Sequence, residues 1–380
     1  MVTSTYDPCL LITSADSKHF AVVGMQTDDT IGLSDIEFAA LEDDKLQEAK
    51  FLAKPKETLT PGNPLMFNGC VLAFQKDHQA SCEDRHALSL HQKKQGEKLK
   101  LATTAQEYVE QRARGAYIAS ICQPEAAFDL SAAAQHKSPE KEDIARLNKR
   151  IQWQMQNIER GLNYIPLDLS TAKLFVYVDA SFANNKDLSS QIGFMILLAN
   201  EITAAGSFTM TGNIIHWSST KCKRVTRSVL ASEIYAMANG VDMGVAINTT
   251  VDMVLAKLGM TGIPLVVCTD SLSLYECLVK LGTTKEKRLM IDIMSLRQAY
   301  ERQEVFEIRW IHGNDNPADA MTKAEPNKAL QTLIDTNTMT MRVQGWVKRD
   351  RKADDGGHEW GLVTKKDCQC RSDAFLQCST

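Results

Sequence analysis

The chain has 380 residues, 44% of them hydrophobic and 24% charged, a composition typical of soluble globular proteins with room for two or three domains. The net charge of −4 gives no global sign of nucleic-acid binding, so a polyanionic ligand would have to be held by local basic clusters or by metal ions. No apolar stretch approaches the ~20 residues that span a bilayer, and no basic flank precedes the short apolar segment at the start, so neither a membrane partner nor a secretory signal is expected. The ten Cys are scattered, mostly in apolar segments, which favours reduced thiols in an intracellular protein, cytoplasmic or nuclear.

The first strand-like pattern lies near the N-terminus. Residues 20–34, FAVVGMQTDDTIGLS, predict two strands joined by a tight turn that holds Asp28 and Asp29, and Asp is common in such turns. A segment punctuated by Pro and Gly follows and ends in another strand-like run. Residues 75–98 are polar, which predicts a loop or exposed turns.

The pattern becomes helical from about residue 100 to residue 165. Apolar residues recur every three or four positions from Ile144 to Leu162, which is typical of one face of an amphipathic helix. We expect this face to pack against the rest of the protein.

Residues 172–325 have the richest pattern. Three strand-like segments, KLFVYVDASF, QIGFMILLAN and GNIIHWSST, are followed by a helix, a strand, two helical segments, a strand and a last helix with Pro317 in its first turn. This order, βββαβααβα, predicts an α/β fold with a mixed sheet flanked by helices. Beyond about residue 345 the chain is polar, and we expect a loosely ordered tail.

Four acids occupy junctions between these predicted elements. Asp179 and Asp270 each end an apolar strand, Glu233 borders the buried stripe of its helix, and Asp319 lies in the first turn of the last helix. Each has an ordinary explanation alone; Asp270, for example, could cap the next helix, a role that Ser271 could share. Four carboxylates together without an Arg would repel one another, which favours a divalent cation as their compensator. Two such ions roughly 3.5–4 Å apart activate a water molecule and stabilise the leaving oxygen of a phosphodiester.

The segments VYVDASF, ASEIYAM, VCTDSLSL and NPADAMTK, in this order, resemble the ribonuclease H domain of copia-type LTR retrotransposon polyproteins. The resemblance implies a ribonuclease H-like fold and assigns catalysis and metal binding to Asp179, Glu233, Asp270 and Asp319. It also implies two Mg²⁺ ions, with Mn²⁺ as a substitute. The implied activity is that of an endonuclease that cuts the RNA strand of an RNA–DNA hybrid.

Further residues are candidates for substrate contact. His312 precedes Asp319 in the way that the catalytic His of cellular ribonucleases H precedes the last acid, although a His at a strand end is more often structural and copia-type domains often lack this His. Two basic clusters could contact phosphates, although charged clusters are more often merely solvated. Their members are Lys221, Lys223, Arg224 and Arg227, and Lys285, Lys287 and Arg288.

The N-terminal Asp-Asp hairpin resembles the polymerase motif of reverse transcriptases. The implied division is a partial reverse-transcriptase palm (1–75), a helical thumb or connection (76–170), the ribonuclease H-like domain (171–345) and a polar tail (346–380). That family needs a further metal-binding Asp upstream, which this sequence lacks, so Asp28 and Asp29 are expected to be a residual motif without polymerase activity. The rest of a retroelement polymerase is then an expected partner.

Two other interpretations remain open. One is a transposase or integrase with the same fold, for which Glu304, 34 positions after Asp270, would be the late acid, although it leads into a strand and leaves Glu233 and Asp319 unexplained. The other is a non-catalytic remnant that binds a nucleic acid or a partner protein.

Overall fold

The computed structural model describes residues 1–27, 29–51, 54–76, 86–280, 284, 286–348 and 362–363. The chain begins with a four-stranded antiparallel sheet whose strands lie in chain order. The predicted hairpin is confirmed, with Thr27 in its turn at a φ of 49°. The elements are β1 (Val2–Thr3), β2 (Leu10–Ile12), β3 (Ala21–Gln26), β4 (Asp29–Ser34) and helix α1 (Ile36–Glu48).

A second four-stranded antiparallel sheet and a group of helices follow. The strands are β5 (Leu65–Phe67), β6 (Cys70–Lys76), β7 (His86–His91) and β8 (Leu162–Tyr164). The helices between β7 and β8 are α2 (Lys93–Gly96), α3 (Ala105–Ile121), α4 (Ala127–Ala133) and α5 (Lys141–Gln156), with a 3₁₀ turn at Pro124–Ala126. The predicted boundary between residues 75 and 76 falls within β6.

The predicted apolar stripe on α5 is shorter than the sequence indicates. Leu147 and Ile151 are buried on α5, but the helix ends at Gln156, where the Asn157 side chain donates to the Trp153 carbonyl oxygen at 2.8 Å. Leu162 therefore lies outside the helix and begins β8.

The largest sheet has seven strands in the order β11-β10-β9-β12-β13-β14-β15. Its members are β9 (Lys173–Ser181), β10 (Gln191–Ala204), β11 (Ser207–Lys221), β12 (Leu265–Thr269), β13 (Glu307–Ile311), β14 (Thr338–Lys348) and β15 (Leu362–Val363). Strands β9, β12 and β13 are parallel to one another, and the other pairs are antiparallel. Residues 338–342 of β14 also pair with β11, so the sheet closes on itself along part of β14.

Helices cover both faces of this sheet. The helices after β11 are α6 (Val229–Lys257), α7 (Leu272–Val279), α8 (Leu289–Glu301) and α9 (Ala329–Thr336). Side chains on β9 alternate between two cores, as the period of a strand requires. Val176 and Val178 face the core with α6, α7 and α8, whereas Phe175 and Tyr177 face the core with α9.

The sheet order confirms the predicted fold class, a ribonuclease H-like mixed sheet flanked by helices. One detail is wrong: Pro317 opens a five-residue 3₁₀ segment, Pro317–Met321, and not the last α-helix. Pro326 disfavours helical backbone at Glu325, and α9 begins only at Ala329. In the described part of the chain, no helix is both long and apolar enough to cross a membrane.

The N-terminal and helical regions both contact this fold. The Lys257 ammonium group at the end of α6 donates to the carbonyl oxygens of Ser14 at 2.9 Å and Ser17 at 2.7 Å. On the other side, the Trp217 indole of β11 donates to the Ala119 carbonyl oxygen of α3 at 3.0 Å.

Candidate metal centre

The structure brings the four predicted acids to one end of the main sheet. Val178 pairs with Thr269 in the parallel β9–β12 ladder. Asp179 and Asp270 are the next residues along the chain, so both lie at the same end of the sheet. Asp319 belongs to the 3₁₀ segment that packs on β9.

Asn316, the residue before that 3₁₀ segment, ties it to β9. Its side-chain amide donates to the Val178 carbonyl oxygen at 2.9 Å, and its own oxygen accepts from the Ala318 backbone. The segment that carries Asp319 is thereby held beside the end of β9.

Glu233 reaches the cluster because α6 lies unusually close to β9. An ideal Cβ atom at Gly240 would stand 2.8 Å from the Val178 side chain, and one at Gly244 would stand 2.7 Å from the Val176 side chain. Only glycine permits this approach. The Glu233 carboxylate, two helical turns before Gly240, then lies near the Ala180 backbone at the end of β9.

The cluster is buried, and its carboxylates repel one another. Asp179 is 2% exposed, Glu233 5% and Asp319 6%. Burial, followed by the charge of Asp270, raises the pKa of Asp179 to about 7. Burial and then the charges of Asp179 and Asp270 raise the pKa of Glu233 well above its usual value, and burial raises the pKa of Asp270.

Lys323 supplies the local positive charge. Its ammonium group pairs with Asp319 Oδ1 and lies 3.9 Å from Asp179 Oδ2. Burial lowers the pKa of Lys323, but the charge of Asp179 and the hydrogen bond to Asp319 outweigh this effect and raise it overall. The lysine is therefore a charged ammonium group in contact with the acids.

Hydrogen bonds fix the orientation of two of the acids. The Thr322 hydroxyl donates to Asp179 Oδ2. Asp319 Oδ2 accepts from the Asn327 backbone N–H at 2.7 Å, and the Asn327 amide is bonded in turn to the carbonyl oxygens of Gly313 and Asn316, each at 2.9 Å.

The donor set fits a hard divalent cation such as Mg²⁺ or Mn²⁺. All four groups are carboxylates, which such ions prefer, and the buried Glu233 Oε2 atom has no hydrogen-bond partner among the described residues. A buried polar atom without a partner is costly and rare. As the carboxylates stand, however, no three acid, His or Cys side chains of the described residues surround one common ion position. Ligation of one ion by three of these side chains therefore requires them to move.

Two solved structures are similar to part of this chain. The RNase H1 from the halophilic archaeon Halobacterium salinarum NRC-1 matches 42% of this chain and 98% of its own, with 14% identity and a TM-score of 0.27. The LC11-RNase H1, solved in complex with an RNA/DNA hybrid, matches 42% of this chain and 99% of its own, with 18% identity and a TM-score of 0.29. At such low identities and TM-scores the fold class rests on the strand order itself. Neither protein-family models nor curated proteins give a match to the chain.

Asp270 does not cap α7. The Ser271 hydroxyl accepts from the Leu274 backbone N–H at 3.4 Å and is the N-cap. The Asp270 carboxylate instead faces Gly313, where an ideal Cβ atom would stand 3.1 Å from Asp270 Oδ2.

His312 lies at the end of β13 and has structural contacts. Its Nδ1 atom accepts from the Asn314 backbone N–H at 3.2 Å and lies 3.0 Å from the Arg342 guanidinium. Arg342 also pairs with Asp315 at 2.8 Å. These bonds anchor the loop before Asp319, and the catalytic role of His312 stays a prediction.

Two side chains of the first basic cluster form ion pairs within the described residues, and two do not. Lys221 pairs with Asp187, and the Arg224 guanidinium lies 3.1 Å from Asp292 and 4.9 Å from the Tyr235 ring centre. Lys223 and Arg227 are exposed and form no ion pair within the described part of the chain.

The remaining predicted residues are exposed or lie outside the described residues. Lys287 and Arg288 are exposed immediately before α8, and Asp29 is exposed at the start of β4. Asp28 and Lys285 lie outside the described residues. Glu304 is exposed just before β13, at the opposite end of the β12–β13 pair from Asp270.

The residues that assemble the cluster were not predicted from the sequence. Thr322 and Lys323 lie three and four positions after Asp319, and the Asp-x-x-x-Lys spacing was a usable sign of an ion pair. The Gly240–Gly244 spacing of four likewise indicates a helix face that approaches a neighbour closely. Asn327 gives no comparable sign, because its role depends on the loop that it pins.

Proposed function

We propose that residues 171–345 form a metal-dependent endonuclease of the ribonuclease H type that hydrolyses the RNA strand of RNA–DNA hybrids. The observation that carries the proposal is the convergence of Asp179, Glu233, Asp270 and Asp319 at one end of the mixed sheet, with a buried Glu233 oxygen left unpaired. Four like charges with one lysine as compensator are costly unless another cation joins them.

The four carboxylates would hold Mg²⁺, or Mn²⁺ as a substitute. Bound there, such ions supply an activated water molecule and stabilise the leaving oxygen of a phosphodiester. The chain's own residues prepare the site: Thr322 orients Asp179, and Asn327 orients Asp319.

The exposed basic side chains would bind the substrate backbone. Lys223 and Arg227 precede α6, the helix that carries Glu233. They can therefore contact phosphates while the hybrid is recognised by its shape and its 2′-hydroxyl groups. The four motifs and the Asp-Asp hairpin also support an origin of the chain in a copia-type retroelement polymerase.

A non-catalytic, hybrid-binding protein is the second candidate. It is favoured by one observation: in the described residues the acids do not surround a common ion position, and Lys323 stands beside two of them. The transposase interpretation has no such support, because Glu304 is at the other end of the sheet.

Cleavage of a hybrid labelled on each strand in turn tests the proposal. We expect Mg²⁺ or Mn²⁺ to support cutting of the RNA strand alone, with loss of cutting in EDTA and in Asp270→Asn. Asp242→Asn is the matched control, because Asp242 is exposed on α6 and outside the cluster. Binding of the hybrid without cutting by folded protein would favour the second candidate, and cutting or transfer of DNA strands would overturn both.

A further inference from the structure

We infer that Lys323 is a built-in counter-cation of the acid cluster, which must leave before a divalent ion binds and so sets the ion concentration at which the site fills. The inference rests on the proposed function, because it assumes that the cluster is a metal site. It assigns a role to Lys323 of the NPADAMTK segment, which the four acids alone do not explain.

The first step is that a lysine and a divalent ion would use the same oxygens. The Lys323 ammonium group pairs with Asp319 Oδ1 and lies 3.9 Å from Asp179 Oδ2. The other oxygen of Asp319 is occupied by the Asn327 backbone N–H. An ion that recruits Asp319 Oδ1 therefore shares this oxygen with Lys323, and one that recruits Oδ2 shares it with Asn327.

The second step is electrostatic. An ammonium group and a divalent cation on one carboxylate are separated by only a few ångströms, and their repulsion is strong in a buried, weakly screened site. The two cations therefore compete, and binding of one lowers the affinity for the other.

The third step is that Lys323 is free to leave while the backbone stays in place. Its side chain is 43% exposed, and a lysine stem is long and flexible. The backbone N–H of Lys323 is bonded to the Asp319 carbonyl oxygen at 3.1 Å. The ammonium group can therefore rotate into solvent without displacing Asp319.

Titration of the metal-free protein with Mn²⁺ in the absence of nucleic acid tests this competition by calorimetry. We expect Lys323→Met to bind Mn²⁺ about fivefold or more tightly than the wild type, in the usual range of a coupling between two sites. Lys280→Met is the matched control, because Lys280 pairs with Glu276 at the same i,i+4 spacing on α7, away from the cluster. Equal affinities of the wild type and Lys323→Met would overturn the inference.

A measurement on the unmutated protein keeps the test independent of the folding of a variant. Reductive methylation followed by mass spectrometry reports the accessibility of each lysine, with Lys280 as internal reference. We expect Mn²⁺ to increase the modification of Lys323 at least twofold, and unchanged or decreased modification would overturn the inference. If Mn²⁺ binds to neither protein, the proposed metal site fails as well, whereas metal-dependent hybrid cleavage with equal affinities defeats the role of Lys323 alone.

Discussion

Gly193 lies directly against Met321, and a larger side chain at position 193 would not fit between them. Gly193 of β10 pairs with Asp179 of β9, and an ideal Cβ atom at Gly193 would stand 2.3 Å from Met321 Cβ and 3.0 Å from Thr322 Cγ2. Real Cβ atoms do not approach so closely. The absent side chain therefore lets the 3₁₀ segment with Asp319 rest directly on the sheet at the level of Asp179.

Gly193→Ala is expected to displace this segment. Because an added methyl group in a packed core costs about 1–3 kcal/mol, we expect a decrease of that size in the free energy of unfolding, together with reduced hybrid cleavage. Gly62→Ala is the control, since no atom lies within 4 Å of a Cβ atom built there. Chemical denaturation of both variants measures the difference, and a Gly193→Ala protein with wild-type stability would contradict the packing described.

The positions of the four acids were largely predictable from the sequence, whereas the packing at Gly193 was not. Strand and helix periodicity depends on neighbours along the chain, so the order of elements and the ends of β9 and β12, with Asp179 and Asp270, were predictable. The close approach at Gly193 depends on a segment more than a hundred residues away, and a glycine inside a strand does not reveal what occupies its space. The 3₁₀ form of the segment with Asp319 was missed because Pro317 opens both kinds of helix.

The stability of the metal-free protein is expected to depend on Asp179 and pH. The pKa of Asp179 is raised from its usual 3.8 to about 7, first by burial and then by the charge of Asp270. Between these two pH values the folded state binds more protons than the unfolded state. The free energy of unfolding therefore decreases as the pH rises from about 4 to about 7, and the full decrease applies above pH 7. The pKa values of Glu233 and Asp270 are also raised and act in the same direction, whereas the positive charge of Lys323 lowers these pKa values.

In EDTA, Asp179→Asn should therefore be more stable than the wild type at pH 8, by up to a few kcal/mol at about 1.4 kcal/mol per pKa unit, and nearly equal to it at pH 4. The asparagine oxygen still accepts the bond from Thr322, so the fold is kept. Denaturation curves at both pH values measure this difference. Asp187→Asn is the control, because hydrogen bonds from Lys221 and Ser189 lower the pKa of Asp187 instead of raising it. This variant should therefore not be more stable than the wild type at pH 8. An equal gain for Asp179→Asn at both pH values would contradict the assignment.

The two free basic side chains before α6 should control the salt dependence of hybrid binding. Replacement of Lys223 and Arg227 together by Ala is expected to weaken binding and to reduce the slope of log K against log salt by about one to two. Lys221→Ala should have a smaller effect, because Asp187 already neutralises Lys221. Fluorescence anisotropy of a labelled hybrid in the non-cleaving Asp270→Asn background gives both quantities. Identical slopes for all of these proteins would place the phosphate contacts elsewhere.

The charged residues around Arg309 of β13 should depend on one another in their contribution to the stability of the fold. Arg309 is fully buried and donates to Glu201 at 2.7 Å and to Glu307 at 3.0 Å, while Lys173 bonds to Glu307 at 2.8 Å. Arg309→Met leaves the buried Glu307 and the partly buried Glu201 with one lysine, so we expect a loss of about 3–5 kcal/mol in the free energy of unfolding. Adding Glu307→Leu removes one of these carboxylates and leaves Lys173 to pair with Glu201. Denaturation should therefore show the double variant to be more stable than Arg309→Met, and additive losses would mean that the network is not coupled.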